Sequence, residues 1–499
     1  MSSNSEMSLV IKGSVWLYIG GLLSSFFVYI YWIIASFLVE PNIIGVASSV
    51  IAFQGLVLSI ISLGLPSGLT RYIGQSKGKK DHQLAFSFFL LSSSLLTIVT
   101  VIFTLFLLSY SLLQISIFGL NSVQLLFAAI LILLGFAPPL FMSLFNSLLR
   151  TDVTAKIQII SSVFTIVLGV SFLILGFSIW GLMIGFVMGS FISNIFFLYS
   201  TIRFYRDHEL RIIPEGASVV PPIKAGLATW VPTILTILGQ SLAILFVYRF
   251  TGDVETGLYF MAYAIATIVF TLPASIQSLM FPVLSGMEHG RKTAILRSTQ
   301  FAMAITIPLA WLFFLYSYVP FMLLGPNYLA ASPLLAILVL SALISPIVAG
   351  YQSYIYATGR YQQLTAIGIV ANISRIILYI ILGSQLGPFG IALAYTIGTA
   401  LGLISVALFA HSFNFNLEWR KYFLTIIIPV PIIVILFVFG LPWVLGLPLV
   451  LVFSFVTYAR LGIITKNNLL ELSQAFFSME TITKYYGYFK PVLEIIFGD

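Results

Sequence analysis

The sequence contains no cysteine among its 499 residues and has few charged side chains. Without cysteine, the chain can form no disulfide, no thiolate metal site and no cysteine nucleophile. Only 8% of the residues are charged and 60% are hydrophobic, whereas soluble domains typically carry about 25% charged residues. A water-soluble fold would lack the polar side chains needed to cover its surface, so the composition excludes a soluble enzyme.

Signatures of nucleic-acid, metal and nucleotide binding are also missing. The net charge is +8, but the basic residues are dispersed between apolar runs, whereas a nucleic-acid site gathers them on one face. The four histidines are not spaced as metal-ligand pairs. The segment Lys77-Gly78-Lys79-Lys80 does not satisfy the phosphate-loop pattern. We therefore expect no nucleic-acid partner, no bound metal and no cofactor.

Long apolar runs dominate the chain instead. A helix needs roughly 20 apolar residues to cross the hydrocarbon core of a bilayer, and about fourteen runs reach that length. They are apolar all round, unlike the alternating strands of a membrane barrel. The sequence therefore predicts an all-α membrane protein. The predicted spans lie at about residues 14–38, 43–64, 84–109, 122–148, 157–177, 180–202, 226–248, 259–283, 299–323, 333–356, 363–383, 388–410, 423–440 and 444–462.

Basic residues lie almost entirely in alternate loops between these spans. Short cytoplasmic loops accumulate Lys and Arg, so this pattern predicts a multi-pass plasma-membrane protein with cytoplasmic N- and C-termini. In that orientation, Arg249 lies alone at an outer helix end. Arg375 falls inside a span.

The two halves of the chain share a spacing that indicates an internal repeat. The segments from Lys12 and from Lys224 have equal length, and each closes on a loop glycine. Near the end of each half, a span begins with an aromatic-glycine pair and has a second glycine, Gly189 or Gly398, further along. Both comparisons give an offset of about 210 residues, as expected for transporter folds built from two related halves. Six spans per half give the halves one orientation, so we expect two pseudo-symmetric lobes around a central cavity.

This repeat divides the chain into five predicted regions. They are an N-terminal six-helix lobe at 1–202, a cytoplasmic inter-lobe linker at 203–223, a C-terminal six-helix lobe at 224–411, two additional transmembrane helices at 412–466, and a cytoplasmic interfacial tail at 467–499.

Arg375 is the deepest cation in the predicted spans. It lies about 18 Å from the start of its helix, near the middle of the bilayer. A charged side chain at that depth costs about 2.5 to 3.5 kcal/mol on insertion scales. It should therefore face a water-filled cavity, where it would bind an anionic substrate, or bond to polar groups of neighbouring helices, such as Asn372 on its own helix. Both interpretations remain open.

Two further candidate substrate-binding arginines lie near the ends of spans. Arg249 is a candidate anion ligand, although an ion pair with Asp253 or Glu255 would explain it equally. Arg71 belongs to a basic group with Lys77, Lys79 and Lys80 that could attract a lipid phosphate. The alternative is that this group only keeps its loop in the cytoplasm.

Three more candidates complete the set of substrate-binding residues. Lys12 and Lys224 occupy matching places in the two halves, where they would flank a cavity entrance or anchor helix ends. Gln240 is a polar residue within a span. It would meet sugar hydroxyls or form a helix-to-helix hydrogen bond.

Several motifs are similar to those of a known family. In the first half they are Glu40-Pro41-Asn42-Ile43-Ile44-Gly45, then Leu63-Gly64-Leu65-Pro66 with Thr70-Arg71, then Gly78-Lys79-Lys80-Asp81. In the second half they are Ala357-Thr358-Gly359-Arg360, then Ala371-Asn372, then Gly387 through Gly390-Ile391-Ala392. In this order and helical setting, the chain resembles the polysaccharide-biosynthesis flippases, the Wzx-type branch of the superfamily that also contains the MATE drug exporters and the lipid II flippase.

The resemblance implies an alternating-access carrier. Such a flippase moves a polyprenyl-phosphate-linked or polyprenyl-pyrophosphate-linked oligosaccharide from the cytoplasmic to the outer leaflet, and Arg375, with Arg249, would supply the cations in its path. We expect no enzymatic activity. The expected partners are the lipid-linked substrate, membrane lipids and glycosyltransferases of the same pathway.

Two alternatives stay open. The first is a cation-coupled multidrug exporter of the MATE type. Those exporters commonly use an acidic residue in the first helix, and the predicted first span has none. The second is an integral-membrane glycosyltransferase, which would need a sizeable outer loop with carboxylates or histidines. The predicted outer loops are short.

Overall fold

The protein folds as two compact units, Met1–Phe260 and Met261–Asp499. A computed structural model describes residues 20–21, 23–79, 81–211, 216–286, 290–413, 415–466 and 497 of the chain, without the side chains of 228, 278–286 and 361.

The described part of the first unit is helical. Its helices are α1 (Leu23–Leu38), α2 (Pro41–Ile61), α3 (Leu65–Gly78), α4 (His82–Leu112), α5 (Ser122–Gly135), α6 (Ala137–Ser147), α7 (Thr151–Ile174), α8 (Ser178–Asp207), α9 (Val220–Thr251) and the start of α10 (Asp253–Gly286).

The second unit contains the remainder of α10 and the helices that follow it. These are α11 (Arg291–Leu315), α12 (Tyr318–Leu324), a 3-10 helix (Pro326–Ala331), α13 (Ser332–Val339), a 3-10 helix (Leu340–Leu343), α14 (Ser345–Ala357), α15 (Tyr361–Leu386), α16 (Pro388–Ser412), α17 (Trp419–Ile427), α18 (Val430–Val438) and α19 (Trp443–Arg460).

The predicted fold class, an all-α membrane protein, is confirmed. Within the described residues, 13 helical segments are long and apolar enough to cross a bilayer, and α1 is a shorter apolar helix that overlaps the first predicted span. The described ranges contain no β-strand, only an isolated bridge between Ile117 and Leu120.

Prolines explain where two of the predicted spans are interrupted. The predicted span at 122–148 is divided between α5 and α6, because Pro138 and Pro139 lie in the first turn of α6. The predicted span at 333–356 consists of α13, a 3-10 turn and α14, which begins with Ser345 and Pro346. A proline has no backbone N–H and disfavours a helical conformation at the residue before it.

Glycines bring α2 and α3 into backbone contact with α9 and α10 within the first unit. A Cβ atom on Gly45 would overlap the carbonyl oxygen of Asp253, and one on Gly257 would overlap the carbonyl oxygen of Pro41. At the other end of α2, a Cβ on Gly64 would overlap the carbonyl of Gly226. These contacts require residues without a side chain, as is common between membrane helices.

The predicted inter-lobe linker is partly helical. Helix α8 continues to Asp207, and α9 begins at Val220. Between them, the Gln83 side chain donates to the carbonyl oxygen of Arg211 (3.1 Å) and accepts from its backbone N–H (2.8 Å). The predicted lobe boundaries stay predictions, and the predicted interfacial tail lies outside the described residues except for residue 497.

Candidate functional site

Arg375 lies near the middle of α15, about 21 Å along the helix axis from Tyr361. Helix α15 packs along α16, and the two are joined at Gly387, whose φ of 57° is readily adopted by glycine. The pair of helices formed by α15 and α16 places the Arg375 side chain against the middle of α16. The predicted depth of this cation therefore corresponds to the centre of a regular, 26-residue helix.

Hydrogen bonds from three nitrogens hold the Arg375 guanidinium between these two helices. Nη1 donates to Oδ1 of Asn372 (2.9 Å), and Nη2 donates to Oγ1 of Thr399 (2.7 Å). Nε donates to the carbonyl oxygen of Tyr395 at 3.3 Å. The structure thus contains the Asn372 contact of the second interpretation. These bonds use three of the five guanidinium N–H donors.

The ring of Tyr395 covers one face of the guanidinium. The central carbon of the guanidinium lies 4.2 Å from the ring centroid, within the range of a cation–π interaction. The same ring contacts Tyr263 edge-on at 5.7 Å and stacks on Phe270 at 5.8 Å. Two aromatic rings of helix α10 therefore hold the ring of Tyr395 in place.

Asn372 and Gly398 fix the position of the arginine side chain. The buried Asn372 amide donates to the carbonyl of Gly368 at 3.0 Å, which leaves its oxygen free to accept from Arg375. A Cβ on Gly398 would overlap Cγ of Arg375. Only glycine at this position lets the arginine stem lie flat against α16.

The first unit has the same glycine contact without a cation. A Cβ on Gly189 in α8 would overlap Oγ1 of Thr165 in α7. The predicted offset of about 210 residues pairs Gly189 with Gly398 and Thr165 with Arg375. In the predicted repeat, the hydroxyl of Thr165 in one half corresponds to the positive charge of Arg375 in the other.

The charge of Arg375 has no carboxylate partner among the described residues. The ion pairs found in that part of the chain join other residues, such as Lys156 with Asp152 and Lys421 with Glu418. The arginine side chain is partly exposed. With two N–H donors left and no counter-charge, the group is chemically equipped to bind an anion such as a phosphate.

Arg249, the second predicted cation, lies at the C-terminal end of α9. Its side chain is exposed and runs past Gly119, where an added Cβ would lie 3.7 Å from Cδ of Arg249. Among the described residues it forms no ion pair with Asp253 or Glu255. Its charge is therefore available to solvent or to a ligand.

Arg71 and Lys224 lie on two helices that touch each other near both residues. Arg71 is exposed on α3, one turn beyond Gly68, and Lys224 is exposed on the first turns of α9. A Cβ on Gly68 would overlap the carbonyl of Pro222, so the two helices touch beside both cations.

Two other predicted site residues do not join these groups. Gln240 is exposed on α9 and makes no hydrogen bond within the described part of the chain. Lys12 lies outside the described residues.

Tyr395 and Thr399 are functional candidates that the sequence analysis missed. They are four residues apart on one face of α16, on either side of Gly398. A search for polar residues four positions apart around Gly398, the glycine that the predicted repeat pairs with Gly189, would have found them.

A family model described as "Polysaccharide biosynthesis protein" matches residues 10–288. The chain belongs to this family. No functionally curated protein matches the sequence.

Solved structures show which fold this member of the family has. A chain described as the lipid II flippase MurJ in an inward closed conformation aligns with a TM-score of 0.69 at 16% identity, over 90% of this chain and 99% of that one. An inward-facing MATE family multidrug resistance transporter aligns with a TM-score of 0.59 at 16% identity, over 79% and 93%. A MOP superfamily transporter from Pyrococcus furiosus gives 0.56 at 17% identity, over 80% and 94%. The fold is therefore that of the MurJ and MATE proteins.

Proposed function

We propose that this protein is a flippase that moves a polyprenyl-phosphate-linked or polyprenyl-pyrophosphate-linked oligosaccharide from the cytoplasmic to the outer leaflet by alternating access. The observation that carries the proposal is the position of Arg375 in the middle of a membrane-spanning helix, with no carboxylate partner among the described residues. Membership of a polysaccharide biosynthesis family and the MurJ-like fold support the same substrate class.

A phosphate that crosses the bilayer has to pass through hydrocarbon. An ionised group in an apolar medium is strongly disfavoured unless it is paired and hydrogen-bonded. An arginine in the path would provide both the opposite charge and N–H donors in a planar fork. Asn372, Thr399 and Tyr395 would keep that fork oriented while the phosphate binds to its free donors.

Basic residues near the helix ends would bind the lipid phosphate before and after it crosses the membrane. Arg71 and Lys224, beside the α3–α9 contact, would attract the lipid phosphate at the cytoplasmic face, each adding about 1 kcal/mol near an anionic surface. Arg249 would meet the phosphate at the outer face. Gln240 would contact sugar hydroxyls, and Lys12 would flank the same entrance as Lys224.

The location follows from the same proposal. We place both termini in the cytoplasm, because the basic residues gather in alternate loops. We place the protein in the plasma membrane, where a flippase for a lipid-linked oligosaccharide would deliver its substrate to the outer leaflet. Glycosyltransferases that build the oligosaccharide on the cytoplasmic face would be its functional partners.

A cation-coupled multidrug exporter is the second candidate, and the fold shared with MATE transporters favours it. Against it, the acidic residues in the described part of the chain lie in loops or in the first or last turns of helices, for example Glu40, Asp152 and Asp253. A carboxylate relay for protons or sodium would need acidic groups within the spans.

The test is complementation in a strain that lacks the gene. Cells would carry the wild type, Arg375→Ala or Arg375→Lys at equal protein level, and surface glycan would be measured together with drug resistance. The proposal expects loss of glycan with Arg375→Ala, partial recovery with Arg375→Lys, and unchanged drug resistance. Wild-type glycan from Arg375→Ala would remove this residue from the mechanism. Intact glycan with lost drug resistance in the deletion strain would favour the exporter.

A further inference from the structure

A second candidate binding site lies within the first unit, far along the chain from Arg375. It is a cavity of about 570 Å³ between α4, α8 and the junction of α5 with α6. Its volume falls in the range of about 300 to 1,000 Å³ that is typical of ligand pockets. Nothing in the transport mechanism above uses it.

The walls of this cavity are almost entirely apolar. Helix α4 contributes Phe86 and Phe89, and the α5–α6 junction contributes Phe136 and Phe141. On the α8 side, Leu198 and Ile202 are 53% and 43% exposed, so the cavity opens past aliphatic side chains. An opening of this kind admits hydrocarbon more readily than water.

The length of the cavity matches one leaflet of a bilayer. Its wall on α4 runs from Phe86 to Thr97, about 17 Å along the helix axis. The hydrocarbon core of a bilayer is about 30 Å thick, so one leaflet contributes about half of that. The cavity can therefore accommodate the chain of a lipid from a single leaflet, but not a molecule that spans both.

Arg206 lies at the end of the cavity nearest the basic loops. Its exposed side chain lines the cavity, and it forms no ion pair within the described part of the chain. The neighbouring carboxylate of Asp207 is paired with Arg203 instead, at 3.7 Å. A positive charge without a partner thus marks the headgroup end of an apolar groove.

Ser93 lies on α4 between Phe89 and Thr97, in the middle of the cavity wall. Its side chain is one of the smallest in this wall, so a larger side chain at the same position would reduce the volume of the cavity.

We propose that this cavity binds one acyl chain of an anionic phospholipid from the surrounding bilayer, with the lipid phosphate on Arg206. The site does not depend on the transport of any cargo. Its ligand is a structural or regulatory lipid, distinct from the transported molecule.

The test uses purified full-length protein and native mass spectrometry with phosphatidylglycerol and phosphatidylcholine of identical acyl chains. The proposal expects the wild type to prefer phosphatidylglycerol. Arg206→Gln should weaken phosphatidylglycerol binding about fivefold and leave phosphatidylcholine unchanged. Arg420→Gln is the control, because it removes the same charge from an exposed arginine of α17 that does not line the cavity.

A cavity-filling variant tests the acyl chain separately. Ser93→Leu should reduce the binding of both phospholipids, and thermal unfolding in detergent would confirm that each variant is folded. If Arg206→Gln does not fold, the Ser93→Leu result decides. Equal losses from Arg206→Gln and Arg420→Gln would overturn the proposal. Undiminished binding by folded Ser93→Leu, or occupancy by a polyprenyl phosphate alone, would also overturn it.

Discussion

At the residue scale, the central feature is a cation whose hydrogen bonds are supplied by uncharged groups. Asn372, Thr399 and the carbonyl of Tyr395 orient Arg375 without neutralising it. A buried pair with a carboxylate would have cancelled the charge. The guanidinium of Arg375 is therefore held in a fixed orientation and keeps a positive charge that can bind an anion.

Replacing Gly398 by alanine should displace Arg375. The added Cβ would overlap the arginine stem, and overpacking of this kind typically costs 1 to 3 kcal/mol. We expect Gly398→Ala to lower the free energy of unfolding by about 2 kcal/mol, measured by denaturant unfolding in detergent. Transport should fall as well.

Gly74→Ala is the matched control for that substitution. Gly74 is a helical glycine with nothing within 4 Å of the added Cβ, so alanine should leave stability unchanged or raise it by up to about 1 kcal/mol. Equal stability of the Gly398→Ala and wild-type proteins would show that α15 and α16 are not packed as described.

The sequence predicts part of this site. Arg375 and Asn372 are recognisable because a charge and an amide three residues apart stand out in an apolar helix, and three residues is the spacing of neighbours on one face. Tyr395 and Thr399 belong to another helix, and their partnership with Arg375 depends on the register between α15 and α16. That register is set by tertiary packing around Gly398, which apolar periodicity does not encode.

At the element scale, α2 is held at both ends by glycine contacts with α9 and α10. The indole of Trp230 adds a hydrogen bond to the carbonyl of Ser59 at 2.7 Å. Because backbones touch at these points, any movement of α2 relative to α10 has to separate Gly45 from Gly257. A rearrangement of the first unit that moves α2 would therefore have to break its packing against α9 and α10.

Gly45→Ala should therefore loosen the contact between α2 and α10. We expect it to destabilise the protein by about 1 to 3 kcal/mol, and to increase hydrogen exchange in both helices, measured by mass spectrometry. Gly55→Ala is the control on the same helix, because its added Cβ would lie 4.0 Å from the nearest atom, Oγ of Ser241. Protection that is unchanged by Gly45→Ala would contradict the described contact.

The positions of most elements are predictable, but their interruptions are less so. Continuous apolar runs predict α7 and α8 because a membrane helix satisfies its own backbone polar groups. The break between α13 and α14 is not predictable in this way, because the sequence there is also one continuous apolar run. Pro346 permits that break, yet prolines are tolerated inside other helices here, such as Pro308 in α11. Whether a proline ends a helix depends on its neighbours, which the sequence pattern does not specify.

At the scale of the whole molecule, hydrophobicity alone determines the fold class. Few charges and long apolar runs leave only transmembrane helices as a solution. The association of helices into units is harder to predict from the sequence, because apolar residues that face lipid and apolar residues that face other helices are of the same types.

The orientation of the chain can be tested directly because the protein has no cysteine. Lys79→Cys and Asn327→Cys would introduce single thiols at exposed positions between predicted spans, and the two positions are predicted to lie on opposite sides of the membrane. In intact cells, a membrane-impermeant maleimide should label Asn327→Cys and leave Lys79→Cys unlabelled until the cells are opened. The reverse pattern would invert the proposed topology.

The most direct test of the central claim is a leaflet assay in proteoliposomes. A fluorescent polyprenyl-pyrophosphate-linked oligosaccharide would be placed in one leaflet, and its appearance in the other would be followed by quenching. The wild type should translocate the lipid, and Arg375→Gln at equal reconstitution should slow translocation by at least about tenfold, the factor that corresponds to about 1.4 kcal/mol of lost phosphate binding. Equal rates for the two proteins would contradict the account.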